Sequence, residues 1–202
     1  MIRELVIITA DLAAAPWHAR GTAPRLPTPP EIAFTSEVSV DAFTAGPVSV
    51  ETARARLAAG DRCVVAMESA KLVGQMRLTR EARHLDWIGC DVSPRAGHVL
   101  LYNAWVDPAW RGRNVHWSLA SLGCETTLAM GATAITAGVE RGEFEPFAHK
   151  YADMGPAVIQ PAASLWCIRF AGARLRFTLP PPALLRFMSR EIAKRFSEAQ
   201  CA

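Results

Sequence analysis

The sequence lacks the short motifs that mark several large classes of enzyme. It contains no Gly-x-Ser-x-Gly, no His-Glu-x-x-His and no phosphate loop ending in Gly-Lys-Ser/Thr, which disfavours common hydrolases, zinc proteases and nucleoside triphosphatases. It also lacks an apolar run of transmembrane length, and the apolar part of residues 1–19 is too short for a signal peptide. We therefore expect a cytoplasmic protein that is not associated with a membrane.

The cysteines are odd in number and widely scattered, and the excess of positive charge is small. No Cys-x-x-Cys spacing occurs, so we expect no structural zinc and no disulfide framework, only thiols in a reducing cytosol. The five residues are Cys63, Cys90, Cys124, Cys167 and Cys201. The formal net charge of +3 is not concentrated in one basic block, which gives no reason to expect a nucleic-acid partner.

The composition and the apolar patterns indicate a single folded domain of mixed α/β class. The chain has 202 residues, of which 50% are hydrophobic, enough for one sizeable core. Period-2 and buried apolar runs predict strands, and apolar residues at helical spacing predict helices. The predicted strands are 3–12, 62–69, 71–78, 98–107, 132–140, 157–160 and 164–172, and the predicted helices are 50–61, 115–130 and 144–155. This order favours helices around one central sheet.

Proline marks the less regular parts of the chain. Residues 15–50 carry six prolines and form too long a segment for a simple connection, so they are either a substrate-recognition segment or a surface excursion. The triplet Pro180–Pro182 separates a domain at 1–179 from a C-terminal helical extension at 180–202. The apolar stripe of that extension fits packing on the domain, a homodimer interface or a membrane surface.

The stretch WVDPAWRGRNVHWSL, residues 105–119, is the most informative in the chain. It joins an apolar strand to a helix predicted to begin at Val115, whose first turn offers backbone N–H groups and the positive end of its dipole. Arg111 and Arg113 add two positive charges there, a combination that favours a phosphate or pyrophosphate. The alternative is a solvated loop whose arginines meet only water and surface carboxylates.

This stretch resembles the acyl-CoA signature of the GCN5-related N-acetyltransferase (GNAT) superfamily. The matching residues run from Val106 through Pro108 to His116, and Tyr151 with Gly155 matches a second family pattern after the next strand. The resemblance covers residues 50–170 and places Gly74 in the hairpin that forms the family's second and third strands. It implies a central, mixed, mostly antiparallel sheet flanked by helices.

The resemblance also implies a reaction, in which the amine of a small-molecule acceptor attacks the thioester of acetyl-CoA or another acyl-CoA directly. The resemblance implies that no metal takes part. Tyr151 is the implied general acid that protonates the departing thiolate, although it also fits a packing role on an amphipathic helix. The implied CoA-binding residues are Trp105, Val106, Arg111, Gly112, Arg113, Asn114, Val115 and His116.

The sequence departs from the family pattern at two glycine positions and at the general base. Asn114 and His116 occupy the glycine positions; Asn tolerates the left-handed region well, whereas an imidazole adds bulk that either donates to phosphate or blocks it. The strand before the motif has no carboxylate to act as base. Residues of neighbouring segments that carry a base are Asp86, Asp91, Glu143 and His149, and none is assigned. An acceptor of low pKa would need no strong base.

Two alternatives to a small-molecule N-acyltransferase stay open. One is an acyl-homoserine-lactone or N-acyl amino acid synthase, because the Pro-rich segment and several tryptophans leave room for a longer acyl chain. The other is a non-catalytic domain that binds acyl-CoA, which Asn114, His116 and the missing strand carboxylate favour.

Overall fold

The computed structural model describes residues 2–13, 27–39, 43, 47–85, 90–140, 159–170 and 173–179. The strands in these ranges are β1 (Ile2–Asp11), β2 (Ile32–Thr35), β3 (Arg62–Glu68), β4 (Lys71–Thr79), β5 (Arg83–Leu85), β6 (Cys90–Val92), β7 (His98–Val106), β8 (Ala134–Glu140), β9 (Ile159–Phe170) and β10 (Ala173–Leu179). The helices are α1 (Val50–Ala58) and α2 (Val115–Ala129), and a 3-10 turn covers Pro108–Trp110. Neither α1 nor α2 is long and apolar enough to cross a membrane.

Eight strands form one sheet in the order β10-β9-β1-β8-β7-β4-β3-β2, and β5 with β6 forms a small separate ladder. Neighbouring strands of the large sheet run antiparallel except β7 and β8, which run parallel. A parallel pair requires a crossover connection, and α2 supplies it between β7 and β8. The mixed, mostly antiparallel sheet flanked by helices confirms the predicted fold class.

The two faces of the sheet carry different helices. Val64 and Ala66 of β3 pack in one apolar cluster with residues of α2, whereas Cys63 and Val65 pack in another with Ala53 of α1. This alternation follows from the period of two in a strand. We call these surfaces the α2 face and the α1 face of the sheet.

Several predicted elements match closely, and others differ. Helix α1 begins at Val50 as predicted, where Ser49 accepts a hydrogen bond from Thr52 N–H at 3.2 Å. The strands predicted at 157–160 and 164–172 are wrong as two elements, because β9 runs through both. Its pairing with β1 shifts register opposite Ile7 and Ile8, next to Pro161, and a bulge is a place where a strand tolerates proline.

Other short strands were not predicted. The proline-rich stretch 15–50 contains β2, the polar connection at 82–97 contains β5 and β6, and β10 follows β9. The predicted helix at 144–155 and the extension at 180–202 lie outside the described residues and stay predictions, as does the domain boundary between 179 and 180.

Gly74 allows α2 to lie close against the sheet. A Cβ at this position would stand 2.9 Å from Leu119 Cδ1 and 3.2 Å from Val115 Cγ1, and both of these α2 side chains are buried. At Gly123, within α2, a Cβ would meet Met76 Sδ at an ordinary 3.5 Å. A methyl group is therefore too close to α2 at Gly74 but fits at Gly123, so a substitution at Gly123 is the control for one at Gly74.

We expect Gly74→Ala and Gly123→Ala to change stability in opposite directions. Overpacking against α2 costs Gly74→Ala about 1–3 kcal/mol, whereas Gly123→Ala gains about 0.5–1 kcal/mol from the higher helix propensity of alanine. Urea unfolding monitored by circular dichroism measures both. A Gly74→Ala protein as stable as the parent would show that the helix has room to move away.

Candidate functional site

The parallel strands β7 and β8 separate partway along their length. Their register runs from His98 opposite Ala134 to Leu101 opposite Ala137, yet β7 continues to Val106 and β8 to Glu140. In this second half β8 stays paired with β1, and β7 stays paired with β4. A gap edged by strand backbone opens between residues 102–106 and 138–140, which is the kind of edge that binds an extended ligand.

A bulge in β7 lies at the start of the gap. Asn103 adopts φ 49, and the register of β7 against β4 shifts between Gln75 opposite Trp105 and Arg77 opposite Tyr102. An extra residue bends its strand and increases the local twist. The bulge thus gives a local cause for β7 leaving β8.

The backbone of Val106 faces the gap. Asp107 N–H donates to Val73 O of β4 at 2.8 Å, and Val106 lies opposite Gly74. Successive residues of an antiparallel pair alternate between bonding to the partner strand and facing away from it. Val106 therefore turns its N–H and C=O toward β8, whereas Trp105 turns its own toward β4.

The loop after β7 is held by its own polar contacts. The Asp107 carboxylate accepts from Ala109 N–H at 2.9 Å and lies 3.3 Å from Lys71 Nζ. The hydrogen bond from Ala109, then the charges of Lys71 and Arg111, hold the pKa of Asp107 below its usual value. These contacts hold the start of the 3-10 turn, whose last residue, Trp110, is buried in the apolar cluster of the α2 face.

Both arginines of the motif lie beside the gap and are positioned by neighbouring groups. Arg111 Nε donates to Val106 O at 3.2 Å, so this guanidinium sits at the end of β7. The guanidinium carbon of Arg113 lies 5.0 Å from the centre of the Trp110 ring, a cation–π distance. Both residues are exposed, which leaves their charge accessible to an anion.

The turn into α2 is left-handed at two residues. Gly112 has φ 77, and Asn114, the N-cap of α2, has φ 60 and ψ 10. Asn is among the few non-glycine residues that visit this region readily, which explains how it replaces the family's glycine. Its side chain does not cap the helix; its Nδ2 donates to Pro27 O at 2.8 Å.

The first turn of α2 has the electrostatic character expected of an anion site. It contains no acidic residue, so no carboxylate offsets the positive end of the dipole. Val115 is buried against the sheet, and His116 is half-buried. The predicted residues from Trp105 to His116 thus lie together around the end of β7 and the start of α2.

The predicted acid and most of the unassigned bases fall elsewhere. Tyr151 lies outside the described residues, as do Asp86, Glu143 and His149. Asp91 is described, and its exposed carboxylate lies 2.8 Å from His84 Nδ1 on the β5–β6 ladder. The described residues hold no group of three or more His, Cys, Asp or Glu that could bind a metal.

A buried polar cluster on the α1 face was not predicted from the sequence. Asp61, just before β3, accepts hydrogen bonds from the Tyr102 hydroxyl and from Arg83 Nη2. Burial raises the pKa of Tyr102 to about 12, and the hydrogen bond to Asp61 adds to the rise. Tyr102 is the titratable residue of β7 nearest the gap, and at neutral pH it keeps its proton.

Comparisons with known proteins agree with this geometry at the level of the fold. No family model and no curated protein sequence matches the chain. Solved structures do match. A protein of Novosphingobium aromaticivorans described as an acetyltransferase of the GNAT family has a TM-score of 0.51 at 14% identity, over 82% of this chain and 63% of its own.

Two further structures give similar values. A GCN5-related glucosamine N-acetyltransferase region of a fungal multi-domain protein has a TM-score of 0.51 at 12% identity, over 80% of this chain and 20% of that one. A Drosophila protein has a TM-score of 0.53 at 15% identity, over 90% of this chain and 52% of that one. The chain thus spans less than two thirds of each of the three. It has the GCN5-related N-acetyltransferase fold.

Proposed function

We propose that the protein is an acyl-CoA-dependent N-acyltransferase that acts on the amine of a small molecule. One observation supports this most strongly: β7 and β8 separate directly beside the left-handed turn that begins α2. The gap suits the extended pantetheine arm of CoA, and the turn suits its pyrophosphate. A chain with this fold but with β7 and β8 paired along their whole length would lack the gap.

The residues around the gap then have separate roles. The N–H of Val106 and its C=O, which also accepts from Arg111 Nε, pair with the amides of the pantetheine arm. The side chain of Trp105 is partly buried against the apolar cluster of the α1 face that contains Phe43 and Leu72. Arg111 and Arg113 supply positive charge to the pyrophosphate, and the backbone from Gly112 to His116 supplies N–H donors.

The chemical step is a direct acyl transfer. The acceptor nitrogen forms a bond to the thioester carbon, and the carbon–sulfur bond breaks when the tetrahedral oxyanion collapses. A backbone N–H at the end of β7 stabilises that oxyanion. The nitrogen loses one proton to water, and the CoA thiolate gains one from Tyr151 acting as general acid. The tyrosinate then regains a proton from solvent.

No described residue of β7 takes the proton from the amine. The Tyr102 hydroxyl already donates to Asp61, and its raised pKa opposes ionisation. A simple alkyl amine is almost fully protonated at pH 7. We therefore expect faster turnover of acceptors with low amine pKa, or a rate that rises with pH as the free amine accumulates.

Release of free thiol from acyl-CoA tests this function. We expect release with acetyl-CoA, or with a longer acyl-CoA, that depends on an added amine and yields the corresponding amide by mass spectrometry. Thermal unfolding with acetyl-CoA, longer acyl-CoAs and free CoA is measured in parallel. Stabilisation by CoA without thiol release would favour a non-catalytic acyl-CoA-binding domain, and the absence of both would contradict the proposal.

A further inference from the structure

Two buried polar side chains of β4 have no hydrogen-bond partner among the residues that the structure describes. Arg77 and Gln75 are both fully buried. Within the described ranges, nothing bonds to Nε, Nη1 or Nη2 of Arg77, or to Nε2 or Oε1 of Gln75. Burying a guanidinium without a counter-charge is strongly unfavourable. Among the described residues no carboxylate pairs with Arg77, so an anionic ligand would supply a counter-charge.

The Arg77 guanidinium is enclosed by protein atoms, and an aromatic ring covers one of its flat faces. Its guanidinium carbon lies 4.8 Å from the centre of the Phe43 ring, so the ring covers the flat face. Phe43 belongs to the apolar cluster of the α1 face with Cys63, Val65 and Leu72. The N–H donors point out along the edge of the guanidinium plane, where a planar carboxylate pairs with two of them.

The nearest buried carboxylate is already engaged. Among the described buried residues, Asp61 is the one that carries a negative charge, and its two oxygens accept from Arg83 and Tyr102. Arg56 lies over the Tyr102 ring at 5.5 Å, and its buried Nη1 also has no partner within the described ranges. Arg77 and Arg56 thus have buried donors that Asp61 does not bind, which favours an anionic ligand.

An anion bound at Arg77 would lie close to the proposed acyl-transfer site. Arg77 lies opposite Tyr102, and Gln75 lies opposite Trp105, so the two residues flank the β7 bulge. Strands are about 4.8 Å apart. An anion held at Arg77 is therefore one strand away from the edge of the gap, within the reach of a small molecule that spans both sites.

We infer that Arg77 and Gln75 bind the carboxylate of the acceptor, which is therefore a small molecule bearing both an amine and a carboxylate. The inference rests on the proposed function for the amine and on the buried β4 side chains for the carboxylate. Arg77 supplies a paired, charge-assisted contact and the Gln75 amide supplies a further donor. Phe43 is buried over the guanidinium, so entry of the acceptor requires this ring to move.

Binding without CoA tests the carboxylate site independently of catalysis. Calorimetry on the full chain compares amino acids with their decarboxylated amines, such as glycine with methylamine and phenylalanine with phenethylamine, and includes inorganic phosphate. We expect the acids to bind at least about tenfold more tightly than the amines. We expect Arg77→Met to lose that preference. The control is Arg62→Met, which replaces an exposed arginine on neighbouring β3 and should keep the preference.

The stability of Arg77→Met provides a second measurement. Because the substitution removes a buried, unpaired charge, we expect its unfolding midpoint to equal or exceed that of the parent. A lower midpoint would mean that the charge is compensated within the protein and would overturn the inference. Equal binding of acids and amines, tighter binding of phosphate than of any acid, or an unchanged preference in Arg77→Met would also overturn the inference.

If Arg77→Met does not fold, Gln75→Leu tests the carboxylate site in its place. We expect Gln75→Leu to bind the acids more weakly than the parent does, and unchanged binding would overturn the inference.

The two proposals fail in different ways. If no amine releases thiol from any acyl-CoA, the transferase activity fails while the calorimetric preference for acids stands by itself. If decarboxylated amines are acylated with the same kcat/KM as the acids, the carboxylate site fails while the transferase stands.

Discussion

Asp61→Ala is expected to destabilise the protein strongly. The substitution leaves the buried Tyr102 hydroxyl without an acceptor and Arg83 without its counter-charge. Breaking a buried ion pair by removing one partner costs about 3–5 kcal/mol. The side chain of Arg83 is 20% exposed and can recover some hydration, so we expect a loss of about 3 kcal/mol.

Asp91→Ala is the matched control for this prediction. Asp91 also pairs with a neighbour, His84, but its side chain is 71% exposed. Exposed pairs contribute less than about 1 kcal/mol, so this variant should unfold close to the parent in urea. Equal losses for Asp61→Ala and Asp91→Ala would show that the Asp61 cluster is not a stabilising unit of the α1 face.

The double variant Arg111→Gln/Arg113→Gln is expected to bind acetyl-CoA at least about tenfold more weakly, because a hydrogen bond to a charged group contributes about 1.5–3 kcal/mol. The expectation rests on the proposed pyrophosphate site beside the start of α2. Higher salt should weaken binding by the parent more than binding by the variant, since screening acts on exposed charges. Calorimetric titration at two salt concentrations measures both effects.

Arg54→Gln/Arg62→Gln is the control for this second prediction. It removes the same two charges from exposed positions on α1 and β3. We expect an affinity for acetyl-CoA within about twofold of the parent, because these arginines lie outside the motif and distant surface charges are screened. Equal weakening by the two double variants would indicate a general effect of net charge and no specific site.

Sequence patterns predicted the fold class, and they predicted the strand β7 and the helix α2 beside the gap, because the features that define these two elements are local. The apolar run of β7, the turn residues Gly112 and Asn114, and the apolar spacing of α2 lie within one continuous stretch. Asn114 takes the left-handed conformation that a glycine would otherwise provide. Local preference and tertiary structure agree at these positions.

The polar cluster on the α1 face could not be predicted in the same way. Asp61 meets Tyr102 and Arg83 only after β3, β4 and β7 have aligned, and the two hydrogen bonds span 41 and 22 positions in the chain. Such contacts depend on the register of the sheet. For the separate pair on β4 a weak signal was present, because Gln75 and Arg77 stand two positions apart within the apolar central part of that strand.

The position of β1 also depends on long-range pairing. This strand lies between β8 and β9, and its alternating apolar residues do not specify which strands it pairs with. The same holds for the separation of β7 and β8, which follows from the bulge at Asn103. Positive φ at an asparagine within a strand is not evident from the apolar pattern that identified β7.

A crystal structure of the protein with CoA tests the central proposal most directly. We expect the pantetheine arm between residues 102–106 and 138–140, with a hydrogen bond to the backbone of Val106. The pyrophosphate should contact the turn from Arg111 to His116. CoA bound at another surface, or a gap that stays empty in crystals grown with millimolar CoA, would contradict the assignment of this gap as the acyl-CoA site.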